Sequence, residues 1–196
     1  MADSAIIPYG WERALLAAEK VKDRLRRATA ALGRAGVPYA VVGGNAVAEW
    51  VGRVDEGAIR NTRDVDILIR RTDLAAAKAA MEAAGWVHAQ VTDVDMFLDG
   101  PNGRPSEAVH MLFAGEKVRQ DDATLTPDIG ESEPAAEFQV VALAALVRMK
   151  LNAFRLKDQV HLLDMIGVGL VDQTWPARLP LELAPRLQQL LDNPDG

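Results

Sequence analysis

The chain contains no cysteine, which removes disulfides, thiolate zinc sites and a cysteine nucleophile together. No uninterrupted apolar stretch approaches the roughly 20 residues that span a bilayer. Nor does an apolar run follow a basic start at the N-terminus. Membrane insertion and secretion are therefore not expected, and a cytoplasmic location is. Positive charge is in deficit too: the formal net charge is −6, so long-range attraction to phosphate does not make this a generic polyanion binder, and any nucleic-acid contact has to be local. The basic residues fall into three groups: Arg24, Arg26, Arg27 and Arg34; then Arg60, Arg63, Arg70 and Arg71; then the run from Arg148 to Lys157. The first group is expected to form a solvated helix face.

What is present suits a folded domain. A chain of 196 residues with 49% hydrophobic content can bury a substantial core, as one domain or as one domain with an appended helical part. Apolar residues at helical spacing predict a helix from Trp11 to about Arg34, stopped by Gly36-Val37-Pro38. A strand over Pro38–Val42 then turns through Gly43-Gly44 into a short helix, Asn45–Trp50. After a polar loop over 52–63 come a strand at Asp64–Arg70 and an alanine-rich helix at Asp73–Ala84, closed by Gly85. Strands at roughly 91–98 and 107–113 flank the hairpin signal Gly100-Pro101-Asn102-Gly103. Residues 117–136 read as an extended connection. From Phe138 to Leu170 the chain reads as helical, and Pro176, Pro180 and Pro185 break up the tail. Trp50 and Trp86 sit on apolar faces and are expected in the core. His88 has no supporting pattern.

The tripeptide Asp-Val-Asp occurs twice, at 64–66 and at 93–95. At strand spacing each copy puts two carboxylates on one face, where they can hold a metal ion. Context separates the copies. The first follows, by about twenty residues, a strand that ends in Gly-Gly and enters a helix, so unpaired backbone N–H groups and a positive helix end lie beside its carboxylates. That combination suits a magnesium-bound nucleotide. Asp93 and Asp95 are expected to give a hairpin strand an acidic outer face.

The segment VPYAVVGGNAVAEW followed by RNTRDVDILI resembles the active-site core of the nucleotidyltransferase fold, in the minimal branch that includes AbiEii/AbiGii-type toxins of toxin–antitoxin systems. The resemblance continues through AVHMLFAGEKVR and LVRMKLNAFRLKDQVHLLDMIGVGL, covering roughly residues 35–175. It implies an α/β (α+β) fold, a mixed sheet flanked by helices, with residues 1–130 as nucleotidyltransferase core and 131–196 as a C-terminal helical part packed on it. The activity it implies is transfer of a nucleoside monophosphate from a nucleoside triphosphate to an acceptor hydroxyl, on a tRNA end, a protein or a small molecule. It further implies an antitoxin partner. Two Mg²⁺ ions carry over to Asp64 and Asp66, and the triphosphate contact to Gly43 and Gly44, with Arg60 or Arg63 as helpers; hard oxygen ligands suit Mg²⁺.

The sequence departs from this pattern on the neighbouring strand. Where many members of the fold place a third carboxylate, His110 stands here. Imidazole is a poor Mg²⁺ ligand but can act as a general base near neutral pH; a hydrogen-bonded structural role is the alternative. Glu107 is expected on the opposite strand face, where only a bulge would let it replace the carboxylate. Further on, Lys150, Phe154, Lys157, Asp158 and His161 share one face if their helix is continuous. The resemblance matches Lys150 to a phosphate-contacting lysine and Asp158 to a nucleotide-facing acid, with Asp164 as second choice. In the other reading Lys157 and Asp158 begin a second helix, with Asp158 near its N-terminal end. Two rivals remain beside a toxin enzyme: a catalytically silent nucleotide- or antitoxin-binding module, whose mark would be His110, and an aminoglycoside-type nucleotidyltransferase, which would call for an acidic cleft.

Overall fold

The computed structural model describes residues 10–194. The first nine residues, on which the expected lack of a leader bears, lie outside them. Its centre is a mixed seven-stranded sheet, among the described residues, in the order β3-β4-β5-β2-β1-β7-β6. The strands are β1 (Tyr39–Val42), β2 (Val65–Ile69), β3 (Val87–Val91), β4 (Val94–Leu98), β5 (Val109–Phe113), β6 (Ser132–Pro134) and β7 (Gln139–Val141). The helices are α1 (Gly10–Arg34), α2 (Gly43–Gly52), α3 (Leu74–Ala83), α4 (Leu143–Ala153), α5 (Leu156–Gly167) and α6 (Ala184–Asp192). β2 runs parallel to β5 and β1 parallel to β7; the remaining pairs are antiparallel.

Alternation along the strands sorts side chains into two cores. Tyr39, Val41, Val65, Ile67, Ile69, Val109, Met111 and Phe113 point to one face, as the period of two requires. There α1 covers them with Val21, Leu25, Ala28 and Leu32, and α3 adds Ala77 and Met81. Ala40, Val42 and Leu68 point to the other face, against α2, α4, α5 and α6. Asp66 shares the second face with Leu68, and His110 shares it with Leu112, so both polar residues interrupt an otherwise apolar strand face. No helix among the described residues is long and apolar enough to cross a membrane.

Several expectations need correction. The strand expected at 91–98 is instead the end of β3, a tight turn and β4; Thr92 takes φ 55 in that turn, and Asp93 leaves the strand. Asp95 is 3% exposed rather than on an acidic outer face. It accepts from His88 Nε2 at 2.8 Å, which accounts for a histidine that has no sequence pattern. Residues 117–136 include β6, and the helical stretch after Phe138 begins with β7 and is then broken at Phe154, whose φ is 44. Arg24 is not solvated: it is 7% exposed, and its guanidinium donates to the carbonyls of Glu107 and Arg63. Arg26 and Arg27 remain on the surface, paired with Glu137 and Asp99. Trp86 is buried as expected, while Trp50 is half-buried and donates Nε1–H to the Val141 carbonyl at 3.0 Å.

The second Asp-Val-Asp copy is thus part of the packing. Asp95→Ala leaves His88 without its acceptor and is expected to cost about 1–3 kcal/mol, read as a lower urea midpoint at unchanged slope. Asp93→Ala, at an exposed turn, is expected to stay within about 0.5 kcal/mol of wild type.

Candidate active site

The chain leaves β1 at Val42 and enters α2 at once. Two glycines make this turn possible. Gly43 takes φ +69, and a Cβ there would lie 2.1 Å from Asp66 Oδ2. A Cβ on Gly44 would lie 2.7 Å from Thr62 Oγ1. A side chain is excluded at Gly43 by backbone conformation and by space, and at Gly44 by space. The antiparallel register sets Val42 opposite Asp66, which brings the N-terminal end of α2 against the start of β2. Asn45 Nδ2 donates to the Asp64 carbonyl at 2.8 Å and holds the residue that precedes β2.

Asp64 and Asp66 open onto a cleft of about 1020 Å³, with side chains 39% and 27% exposed. Each already has a basic side chain beside it. Lys157 Nζ is 3.6 Å from Asp64 Oδ2. His110, placed opposite Asp66 by the parallel β2–β5 register, has Nδ1 3.5 Å from Asp66 Oδ1. Contact with the Asp66 carboxylate raises the His110 pKa above the ordinary histidine value, against the opposing effect of burial. Glu107 lies in a short 3-10 turn before β5, outside the strand, and supplies no third carboxylate.

The second polar group comes from the α4–α5 junction. Lys150 is 6% exposed, and its Nζ donates to Asp158 Oδ1 at 3.0 Å. Burial pulls the lysine below its ordinary pKa while Asp158 opposes that pull. Arg155 Nε donates to the other Asp158 oxygen at 2.7 Å. Burial alone would raise the Asp158 carboxyl, but the Arg155 hydrogen bond and Lys150 outweigh it and hold it below the usual carboxylate range. Asp158 also accepts from the Arg155 backbone N–H and sits in the first turn of α5, so it caps a second helix and at the same time pairs with Lys150 across the break. His161, one turn further on, is pushed down to about 4 by burial and by Lys150, and its Nδ1 is buried with no hydrogen-bond partner.

Gly43, Gly44, Arg63, Asp64, Asp66, His110, Lys150 and Asp158 all line the one cleft. Arg60 does not: its Nε donates to both oxygens of Asp164 at 2.8 Å, tying the loop before β2 to α5. Lys157, Arg155 and His161 also line the cleft, and sequence reasoning assigned none of them a role there. The capping pattern of Arg155 with Asp158 three residues later is a signal that could have found one. Proximity of Lys157 to Asp64 depends on tertiary packing and has no local signal.

Among the described residues no group of three or more histidine, aspartate or glutamate side chains is placed to hold a metal by itself. Asp64 and Asp66 carry the hard oxygen donors that would suit Mg²⁺ arriving with a nucleotide, because that ion keeps several waters and takes one or two carboxylates together with substrate phosphates.

No curated protein matches the sequence. Among solved structures the chain is similar to the antibiotic-resistance factor ANT(2'')-Ia in its solution structure, with 16% identity, 86% of this chain and 83% of that chain covered, and a TM-score of 0.46. It is similar to the same factor in complex with adenylyl-2''-tobramycin, with 18% identity, 85% and 93% covered, and a TM-score of 0.46. JHP933 from Helicobacter pylori shows 15% identity over 91% of this chain and 75% of that one, with a TM-score of 0.48. The family described as uncharacterised nucleotidyltransferase matches residues 11–125, which is more than half of the chain and contains Gly43, Gly44, Asp64, Asp66 and His110; the protein belongs to that nucleotidyltransferase family.

Proposed function

We propose that the protein transfers a nucleoside monophosphate from a Mg²⁺-bound nucleoside triphosphate to an acceptor hydroxyl, forming a phosphodiester to the acceptor oxygen as the α–β anhydride breaks and pyrophosphate leaves. The observation that carries this is the fit of Gly43 against Asp66: the backbone that would receive phosphate and the carboxylate that would hold metal lie in van der Waals contact. Asp64 and Asp66 would hold Mg²⁺, which when bound neutralises phosphate charge and polarises the phosphoryl group. The side-chain-free backbone at Gly43 and Gly44 lets a triphosphate reach the first N–H groups of α2. Lys157, now beside Asp64, and Arg63 add cations for the phosphates. Lys150 is held by Asp158 and contributes a fixed positive charge at the cleft wall. His110 takes the place of a third carboxylate and receives the acceptor's proton.

Sequence resemblance to AbiEii-type toxins supports a narrower version, a cytoplasmic toxin whose transfer reaction is countered by an antitoxin. Fold alone does not fix that role, so the test covers both levels. The Asp64→Ala, Asp66→Ala double variant is expected to stay folded, to lose Mg²⁺-dependent nucleotide binding by calorimetry, and to relieve any growth arrest that the wild type causes on expression in bacteria. Undiminished Mg²⁺–nucleotide binding in that variant would sink the enzyme proposal. Equal growth with wild type and variant would sink the toxin role.

A second test concerns His110. With labelled nucleoside triphosphate, His110→Ala is expected to reduce transfer by about 10²-fold or more while Mg²⁺–nucleotide affinity is retained. A silent wild type beside an active His110→Asp variant would instead identify a module that lost its chemistry with its third carboxylate.

A further inference from the structure

The sheet has two free edges among the described residues, β3 and β6, and they are built differently. β6 is three residues long, carries Glu133 and ends in Pro134, features that keep an edge from pairing with another chain. β3 is five residues long and reads VHAQV. It has no acid, lysine, arginine or proline, and its register to β4 is unbroken by a bulge.

The hairpin decides which backbone groups of β3 face outward. A two-residue turn, Thr92-Asp93, joins β3 to β4, so Val91 and Val94 close it as a hydrogen-bonded pair. Alternation makes Ala89 with Met96 and Val87 with Leu98 the next hydrogen-bonded pairs, and turns the N–H and C=O of His88 and Gln90 away from β4. These four groups make no backbone hydrogen bond beyond the sheet among the described residues. The side chains are open as well. Val87 and Val91 stand exposed on the face that carries Met96 and His110, with exposed Val94 beside Val91. On the other face α3 packs against β3 and exposes Ala75, Ala76, Ala79 and Ala83, with Glu82 as its one exposed charge.

About Ala89 the strand is symmetric in character: valine, polar, alanine, polar, valine. An antiparallel copy centred there sets Val87 opposite Val91, and His88 opposite Gln90 in two hydrogen-bonded pairs that satisfy all four open groups on each copy. Ala89 meets its own copy as a non-hydrogen-bonded pair, where the chains come closest and a small side chain fits. The same register carries Asp93 to Gly85 of the second copy, so like charges do not meet. Self-complementarity of this kind is what a two-fold interface needs, and a foreign strand would not call for it.

We propose that the protein forms a two-fold dimer through β3, its two sheets joined into one by antiparallel pairing centred on Ala89. Because paired side chains stay on one face, the axis is perpendicular to the sheet, and the two clefts, whose walls include Asp93 and Val94, open on the same side. The strand is roughly 17 Å long and the sheet with its helix layer roughly 20 Å thick. That end face falls short of the roughly 800 Å² per partner of a standard interface, so the dimer is reversible and grows with concentration. The inference is independent of the transfer reaction.

Sedimentation velocity on the full chain is expected to show a mass rising from 21.2 kDa toward twice that as concentration goes from low micromolar to near millimolar. Gln90→Pro removes an outward N–H, a change an edge strand tolerates, and is expected to weaken association roughly tenfold or more. Register is read with thiols, since the chain has no cysteine of its own. Ala89→Cys places its Cα about 4.5 Å from that of its copy, within disulfide range, whereas the copies of Val91→Cys lie roughly 13 Å apart. On mild oxidation Ala89→Cys is expected to give a covalent dimer and Val91→Cys is not. A wild type that stays monomeric to near-millimolar concentration overturns the inference and leaves the edge to a strand of another protein. A dimer that Gln90→Pro leaves as tight as wild type overturns it too, as does Val91→Cys crosslinking as readily as Ala89→Cys. Should Gln90→Pro fail to fold, the two cysteine variants decide.

Discussion

The antiparallel register of β1 and β2, with Val42 opposite Asp66, sets the position of almost everything else at the site. It brings the sharp entry into α2 against the first residues of β2. Only a residue without a side chain can occupy position 43, because a Cβ would overlap the Asp66 carboxylate. Slipping the pairing by one residue would turn Asp66 into the α1–α3 core and Ile67 toward the cleft, exchanging a solvated carboxylate for a buried one. The hydrophobic pattern of β2 therefore fixes the geometry of its one polar residue. β5 extends the same logic: parallel pairing with β2 puts His110 beside Asp66, on the cleft face of the sheet.

A second constraint comes from the break at Phe154. A continuous helix would keep Lys150 and Asp158 about two turns apart. The break instead lets α5 fold back so that Asp158 accepts from Lys150 at 3.0 Å. A buried pair of this kind is costly to split, by about 3–5 kcal/mol when one partner is removed, and Arg155 ties the same carboxylate into the helix start. The wall of the cleft is thus a rigid electrostatic unit. Lys157 projects from it toward Asp64 and supplies the cation that the aspartates face.

The parts of this arrangement that were legible in the sequence are those with local signals. Gly43-Gly44 after a strand and the Asp64–Asp66 spacing follow from short-range patterns, while His110 was singled out only through the family resemblance. The helices α1 and α3 and the hairpin of β4 with β5 also follow from short-range patterns. The rest depended on contacts between distant segments. Asp95 was indistinguishable from Asp66 by alternation; the Gly-Gly context set the copies apart, but the burial of Asp95 against His88 had no signal in the sequence. Arg24 reads as one of several surface arginines, yet it is drawn inward by the carbonyls of Glu107 and Arg63. The segment after β5 has no regular pattern, and its order comes from Asn152 and Thr126 rather than from its own sequence. Lys157 and His161 have helical spacing that suits a surface as well as a cleft.

The claim on which the functional account stands is that Asp64, Asp66 and the Gly43-Gly44 turn form one Mg²⁺–nucleotide site. A crystal structure of the protein grown with Mg²⁺ and a non-hydrolysable nucleoside triphosphate tests it most directly. The account requires metal density on both aspartates, triphosphate oxygens against the N–H groups at the start of α2, and Lys157 moved from Asp64 toward phosphate. Nucleotide bound elsewhere, with Lys157 still beside Asp64 and no metal on either carboxylate, would contradict it.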